Sequence, residues 1–264
     1  MPPDLQTSLI TSLTSQSLPT PSQSWLTTLI SSRTPPPPLP SLTATARARL
    51  LASDLTAPDL LDATYAATHC LPAESLRPEV RSATLSRDVV LQVLDIEDLS
   101  KSRWAQVEEL EALARGEGTK GREIVRLPVG GEEDGEDGGE RGVTQATQTQ
   151  GTQGRPPPAG RGAAAATPAA SATSGSKDTH ELVLQDCKGL KVSGLELRKV
   201  EKIGIGKLNI GEKVLIKSGA SISRGVVMLE PATCVVLGGK VEAWHKAWVD
   251  GRLARLKEAA AAGR

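Results

Sequence analysis

The chain has 264 residues and a formal net charge of zero, with 31 basic and 31 acidic side chains. A neutral chain has no bulk cationic field with which to gather nucleic acid or anionic lipid. It lacks Phe altogether and has one Tyr and four Trp, so recognition by stacking rings is poorly provided for. Its length accommodates one or two domains.

The first sixty residues predict helices. In DLQTSLITSLTSQ (4–16), Leu5, Leu9, Ile10 and Leu13 fall on one helical face. LPTP then breaks the helix. Ser22 is placed to cap a second helix with an apolar stripe of Trp25, Leu26, Leu29 and Ile30. TPPPPLPS (34–41) is a stiff connector. A third helix is expected from Ser41, with Leu42, Ala46, Leu50, Leu51 and Leu55 inward. The expectation is a three-helix bundle over residues 1–70, its Trp and Leu stripes serving as core.

HCLPAESLRPEV (69–80) reads as a proline-bearing linker. SRDVVLQVLDIEDL (86–99) alternates like a half-buried strand. KSRWAQVEELEALARG predicts a helix with Trp104, Val107, Leu110 and Leu113 on one side and Gly116 as its stop. Residues 116–178 are Gly, Thr, Gln, Ala, Pro and acid, including the run EEDGEDGGE (132–140). Such a composition cannot offset the entropy of ordering. REIVRLPV (122–129) is an apolar island within it.

After the insert come five candidate strands: ELVLQD, LKVSGLELR, EKVLIKS, RGVVMLE and TCVVLGG. Gly189, Gly211, Gly219 and Gly225 stand where turns or bulges are needed. VEAWHKAWVDGRLARLKEAAAA is a closing helix with Trp244 and Trp248 one turn apart on one face. Short strands with a packing helix predict a five-stranded, partly open barrel of the OB type. The expected class is therefore α+β: a helical bundle (1–70), the start of the barrel (71–115), a long low-complexity insertion loop (116–178), and the rest of the barrel with a C-terminal helix (179–264). If the strands near residues 90 and 184 are neighbours, the insert is a loop growing out of the barrel, tolerable because loop-closure entropy grows slowly with length.

Chemistry is hard to find. His69, His180 and His245 are scattered, and none has metal-ligand spacing. Cys70, Cys187 and Cys234 are an odd, dispersed set that fits a reducing compartment without a disulfide framework. The N-terminus lacks the pattern of a secretory signal, and no run is long enough to span a bilayer. GIGKLNIGEK (204–213) mimics a phosphate loop, but Glu201 occupies the required first glycine and no Ser or Thr follows Lys207. A loop crossing one end of the barrel is the better reading. Asp95, Glu97 and Asp98 sit at a strand end, where a solvated edge is commoner than a catalytic pair. No catalytic, metal-binding or cofactor-binding residue is expected, and an enzyme has no residue set to recommend it.

OB barrels that hold single strands combine a basic groove with aromatic platforms. The region 188–217 carries eight Lys or Arg, but residues 180–238 contain no Phe, Tyr or Trp. A tight single-strand binder is disfavoured. Weak phosphate contact through Lys207, Lys213 or Lys217 stays open, as does the reading of these lysines as a solvated barrel surface.

A family resemblance rests on LQDCKGLKVSGLELR (184–198) and on residues 213–244, where RGVVMLEP and VVLGGKVE are the most specific portions. WLTTLI (25–30), ARLLASDL (48–55) and Leu71–Pro72 agree in order. On these segments the chain resembles the RecQ-mediated genome instability protein 1 family, in its short single-OB form. The resemblance implies a nuclear, non-catalytic subunit without cofactor. Its implied partners are topoisomerase III, a RecQ-family helicase and, weakly, branched or single-stranded DNA, with no membrane and no small-molecule substrate. It further implies that the insert reaches the topoisomerase's DNA gate and favours decatenation and dissolution of double Holliday junctions. Arg126, Leu127, Pro128 and Val129 are the expected anchor on that partner. The competing reading is a structure-selective DNA-binding protein acting alone.

Overall fold

A computed structural model describes residues 3–32, 35–117 and 178–262. Three helices come first: α1 (Pro3–Thr14), α2 (Gln23–Ser31) and α3 (Leu39–Ala52). The Ser22 hydroxyl caps α2, accepting from the Trp25 N–H at 3.2 Å. Leu9, Leu13, Leu26, Leu29, Ile30, Leu42, Ala46 and Leu50 form the bundle core. The third helix starts two residues earlier than Ser41, because Pro40 is tolerated in a first turn whose N–H groups have no intrahelical partner. It also ends before Leu55, which packs instead with Val90 and Leu215 on the sheet. A short α4 (Ala63–Thr68) follows, absent from the sequence reading; the Asp62 carboxylate caps it by accepting from Thr64 and Tyr65 N–H, each at 3.0 Å. A single 3₁₀ turn (Ala73–Leu76) lies in the linker.

The sheet has eight strand segments: β1 (Ala83–Thr84), β2 (Val89–Asp98), β3 (His180–Gln185), β4 (Lys191–Glu196), β5 (Lys213–Ile216), β6 (Ser221–Ser223), β7 (Val226–Leu229) and β8 (Cys234–Gly238). Their spatial order is β1-β6-β7-β4-β3-β2-β5-β8. β4 and β7 run parallel and the other paired strands antiparallel. β1 stands at one end of that order yet runs on into β2 near the other. Leu85 bridges the gap, donating to Ala220 O at 2.9 Å and accepting from Gly219 N at 2.8 Å. The result is a curled, mixed, OB-like sheet. Five strands were expected after the insert; β6, in the segment GASISRG, is the sixth, too short and polar to register as a strand by pattern.

Two helices close the sheet: α5 (Arg103–Ala114) and α6 (Glu242–Ala262). Trp244 and Trp248 of α6 pack on the sheet core, as do Leu208 and Ile210 of the 204–213 loop and Ile203 just before it. In α5 the inward residues are Gln106 and Val107; Trp104 and Leu113 are exposed, contrary to the expected stripe. Register explains this: Gln106 reaches back to Asp98 O at 2.9 Å and Lys101 O at 3.2 Å, which turns Trp104 outward.

The helical part meets the sheet across β2. Val89, Leu91 and Val93 face the sheet core, while Val90 on the other side lies under Leu55. Gln92 is fully buried there. It accepts from Leu55 N at 2.9 Å and donates to Asp54 Oδ1 at 2.7 Å and Gln185 Oε1 at 3.1 Å. At Gly239, with φ +94°, any Cβ would strike the Leu51 carbonyl, so only glycine allows α3 to approach so closely.

Candidate partner-docking face

β2 and β3 are antiparallel neighbours, with Asp98 opposite His180. The chain between them therefore leaves and rejoins the sheet at one end. At departure, Gly116 takes φ +79° after α5, and the backbone N–H groups of Gly116 and Glu117 donate to Leu113 O and Ala112 O at 3.1 and 2.9 Å. At return, Leu99 N donates to Thr179 O at 2.8 Å. The buried Glu196 carboxylate fixes the incoming strand: it accepts from His180 N at 3.2 Å and Val200 N at 2.7 Å, and His180 Nδ1 lies 2.9 Å away. Lys199 Nζ donates to Asp178 O at 3.1 Å.

Exposed apolar side chains gather around these two feet. Of the six large ones exposed among the described residues, Leu99 and Leu197 belong to the returning side and Leu113 and Val249 to the departing side, with exposures from 44% to 59%. Leu195 pairs with Glu181 on β3, so Leu197, two residues further on, lies toward the same end of the sheet as Thr179 and Leu99. On the departing side a groove of about 400 Å³ has a largely apolar lining that includes Leu110, Ile205, Val249 and Leu253, with Asn209, His245 and Arg252 as its polar members. Charges nearby are paired locally: Arg103 with Glu97 at 2.8 Å, Lys101 with Glu109 at 2.7 Å, and Lys257 with Glu111 at 2.6 Å. Hydrogen bonds to these carboxylates hold Lys101 and Arg103 above their ordinary pKa values, and Lys257 holds Glu111 below its own. A face with paired charges and uncovered apolar groups suits apolar docking.

Arg126, Leu127, Pro128 and Val129 lie outside the described residues, as do the acidic run and nearly all of the 116–178 segment. The three lysines differ in exposure. Lys207 and Lys217 are exposed. Lys213 is fully buried, its ammonium donating to Gly211 O at 2.6 Å. It cannot meet a phosphate, and it leaves the set of DNA-contacting candidates. Burial pulls its pKa down to about 8, against the opposing pull of Asp54 and Glu212. Lys217 stands just beyond the other end of the same strand, about 13 Å away at the usual strand rise.

The acidic trio also has structural employment. Asp95 accepts from Trp248 Nε1 at 2.6 Å, Glu97 holds Arg103, and Asp98 accepts from Ser100 N at 2.9 Å. The guanidinium carbons of Arg252 and Arg255 lie 5.3 and 5.8 Å from the Trp248 ring centroid, so that ring is covered by the chain's own cations. Among the described residues no three His, Cys, Asp or Glu side chains are grouped to hold a metal ion, and no helix is long and apolar enough to cross a membrane. Leu99, Leu197 and Val249 were missed by sequence reasoning. Each is one more leucine or valine in an apolar run, and only register shows which are left uncovered.

Comparison with known proteins agrees with this architecture. Residues 13–58 match the N-terminal helical domain of RMI1, and residues 70–252 match the RMI1 N-terminal OB-fold domain. RecQ-mediated genome instability protein 1 of Schizosaccharomyces pombe is 26% identical over 178 residues, covering 66% of this chain and 65% of that protein. The chain thus spans just under two thirds of that relative's length. With both matches falling in order on the helices and the curled sheet, the chain belongs to the RMI1 family.

Proposed function

We propose that this chain is a non-catalytic OB-fold subunit that binds topoisomerase III and a RecQ-family helicase in the nucleus and promotes decatenation and dissolution of double Holliday junctions. Membership of the RMI1 family points to a role in genome maintenance and to a scaffold subunit. The observation that carries the finer reading is the crowding of exposed apolar side chains at the end of the sheet from which the insert springs. A partner seated there would cover Leu99, Leu197 and Val249 while residues 118–177 extend onto it, with Arg126–Val129 as anchor. By contacting one state of the topoisomerase gate better than the other, the insert would shift the gate's population without making or breaking a bond.

The test is decatenation by purified topoisomerase III with the full chain and with a variant lacking residues 130–176. The deletant is expected to keep its melting temperature and its binding to topoisomerase III but to lose stimulation. Full stimulation by the deletant would overturn the role of the insert. A salt-dependent shift of branched DNA by the chain alone, with no binding to topoisomerase III, would replace the proposal with an autonomous DNA binder.

A further inference from the structure

Two of the three cysteines, distant in sequence, are brought to one place. Cys70 follows α4 and Cys187 opens the β3–β4 turn. Their thiols point at consecutive carbonyls at the end of α4: Cys70 Sγ lies 3.5 Å from Ala67 O and Cys187 Sγ 3.9 Å from Ala66 O. The adjoining backbone is held by the buried Asp186, whose carboxylate accepts from Leu71 N at 3.0 Å and from Lys188 and Leu190 N at 2.9 and 2.8 Å. Residues 70–71 thus run against 186–187 on a rigid support. Both thiols are partly exposed, whereas Cys234 is buried.

We propose that Cys70 and Cys187 form an oxidation site, at which a small-molecule disulfide of the glutathione class converts the two thiols into one disulfide. The Cys70 thiolate attacks a sulfur of the oxidant, forming a mixed disulfide and expelling the first small thiolate. The Cys187 thiolate then attacks the Cys70 sulfur and expels the second. Two electrons pass to the oxidant, and the two protons given up by Cys70 and Cys187 end on the released thiols. The bond ties the end of the helical part to the β3–β4 turn, across the junction that Gln92 already holds. Burial pushes the Cys187 thiol up to about 11, so its thiolate is scarce near neutrality and the closing step speeds up as pH rises.

The test treats the full chain with oxidised glutathione under native conditions, followed by intact mass and peptide mapping. The expected product has lost two hydrogens, links the peptides bearing Cys70 and Cys187, and leaves Cys234 as the thiol that reacts after denaturation. Its rate of closure should rise about tenfold per pH unit between roughly pH 7 and 9, following the thiolate fraction. Cys70→Ser should abolish the link, while Cys234→Ser should preserve it. A glutathione that stays on Cys70 as a stable mixed disulfide, or a chain that keeps all its thiols, overturns the proposal. Neither outcome depends on topoisomerase binding.

Discussion

Two surfaces of the curled sheet meet opposite fates. Across the first half of β2 the helical part covers the sheet, and even the polar groups there are satisfied: Gln92 is fully buried with three hydrogen-bond partners, and Lys213 is buried with a carbonyl to donate to. At the end where the chain leaves for the insert, Leu99, Leu197 and Val249 are exposed while the surrounding charges are paired with one another. The junction has found its partner within the chain. The other face carries apolar surface with no such cover among the described residues. A buried polar group costs most when its partner is removed, whereas an exposed apolar group costs little to change. The same kind of substitution should therefore act on stability at one surface and on binding at the other.

The sharpest contrast comes from Gln92→Ala. It strands Leu55 N, takes one donor each from Asp54 and Gln185 Oε1, and opens a cavity, for a loss of about 3 kcal/mol and a melting temperature lower by roughly 6–12 °C. A calorimetric shift under about 2 °C would show that the junction is not held by this network.

Lys213→Met acts in the opposite direction. The lysine's folded pKa, about 8, lies below its ordinary value of 10.5, so the unfolded chain binds the proton more tightly. Below about 8 the cost of the buried charge is present in full. As pH rises from about 8 to 10.5, folding releases the proton and this group's contribution to stability rises. The Met variant lacks the charge and should be more stable at pH 7 by about 1–3 kcal/mol. Its advantage should shrink toward pH 10 in denaturant titrations. A gap that does not change with pH would contradict a buried, depressed lysine.

The smallest effect on stability belongs to the pair Leu197→Asp and Val249→Asp. Each should alter stability by less than about 0.5 kcal/mol, while topoisomerase III stimulation falls roughly tenfold or more. A loss of stability comparable to that of Gln92→Ala would place these residues in the core and erase the distinction between the two surfaces.

Much of the architecture was legible in advance. Ser22 as a cap, the Leu9 and Leu13 stripe, and the α6 face bearing Trp244 and Trp248 are local signals, set by residues a turn apart. The run VVLQVL was readable as a strand, but its burial on both sides was not, because the second cover comes from Leu55, more than thirty residues away. Lys213 looked like one more surface lysine in a basic region. Nothing within its own strand reveals that Asp54, Glu212 and the Gly211 carbonyl surround it. Likewise the α5 stripe was drawn through Trp104 and Leu113, and the bond from Gln106 to Asp98 O rotates both outward.

Sequence alone determined the order of parts: helices, a β-domain interrupted by a segment too polar to build a core, and a closing helix. Those follow from periodicity, caps, glycine placement and composition, which act over a few residues. Only the tertiary structure decided that Cys70 and Cys187 share one support, that Lys213 is buried, and that uncovered apolar side chains collect at the two feet of the insert. These depend on strand register and on contacts between segments far apart in the chain, where a slip of one residue would send each side chain to the opposite face.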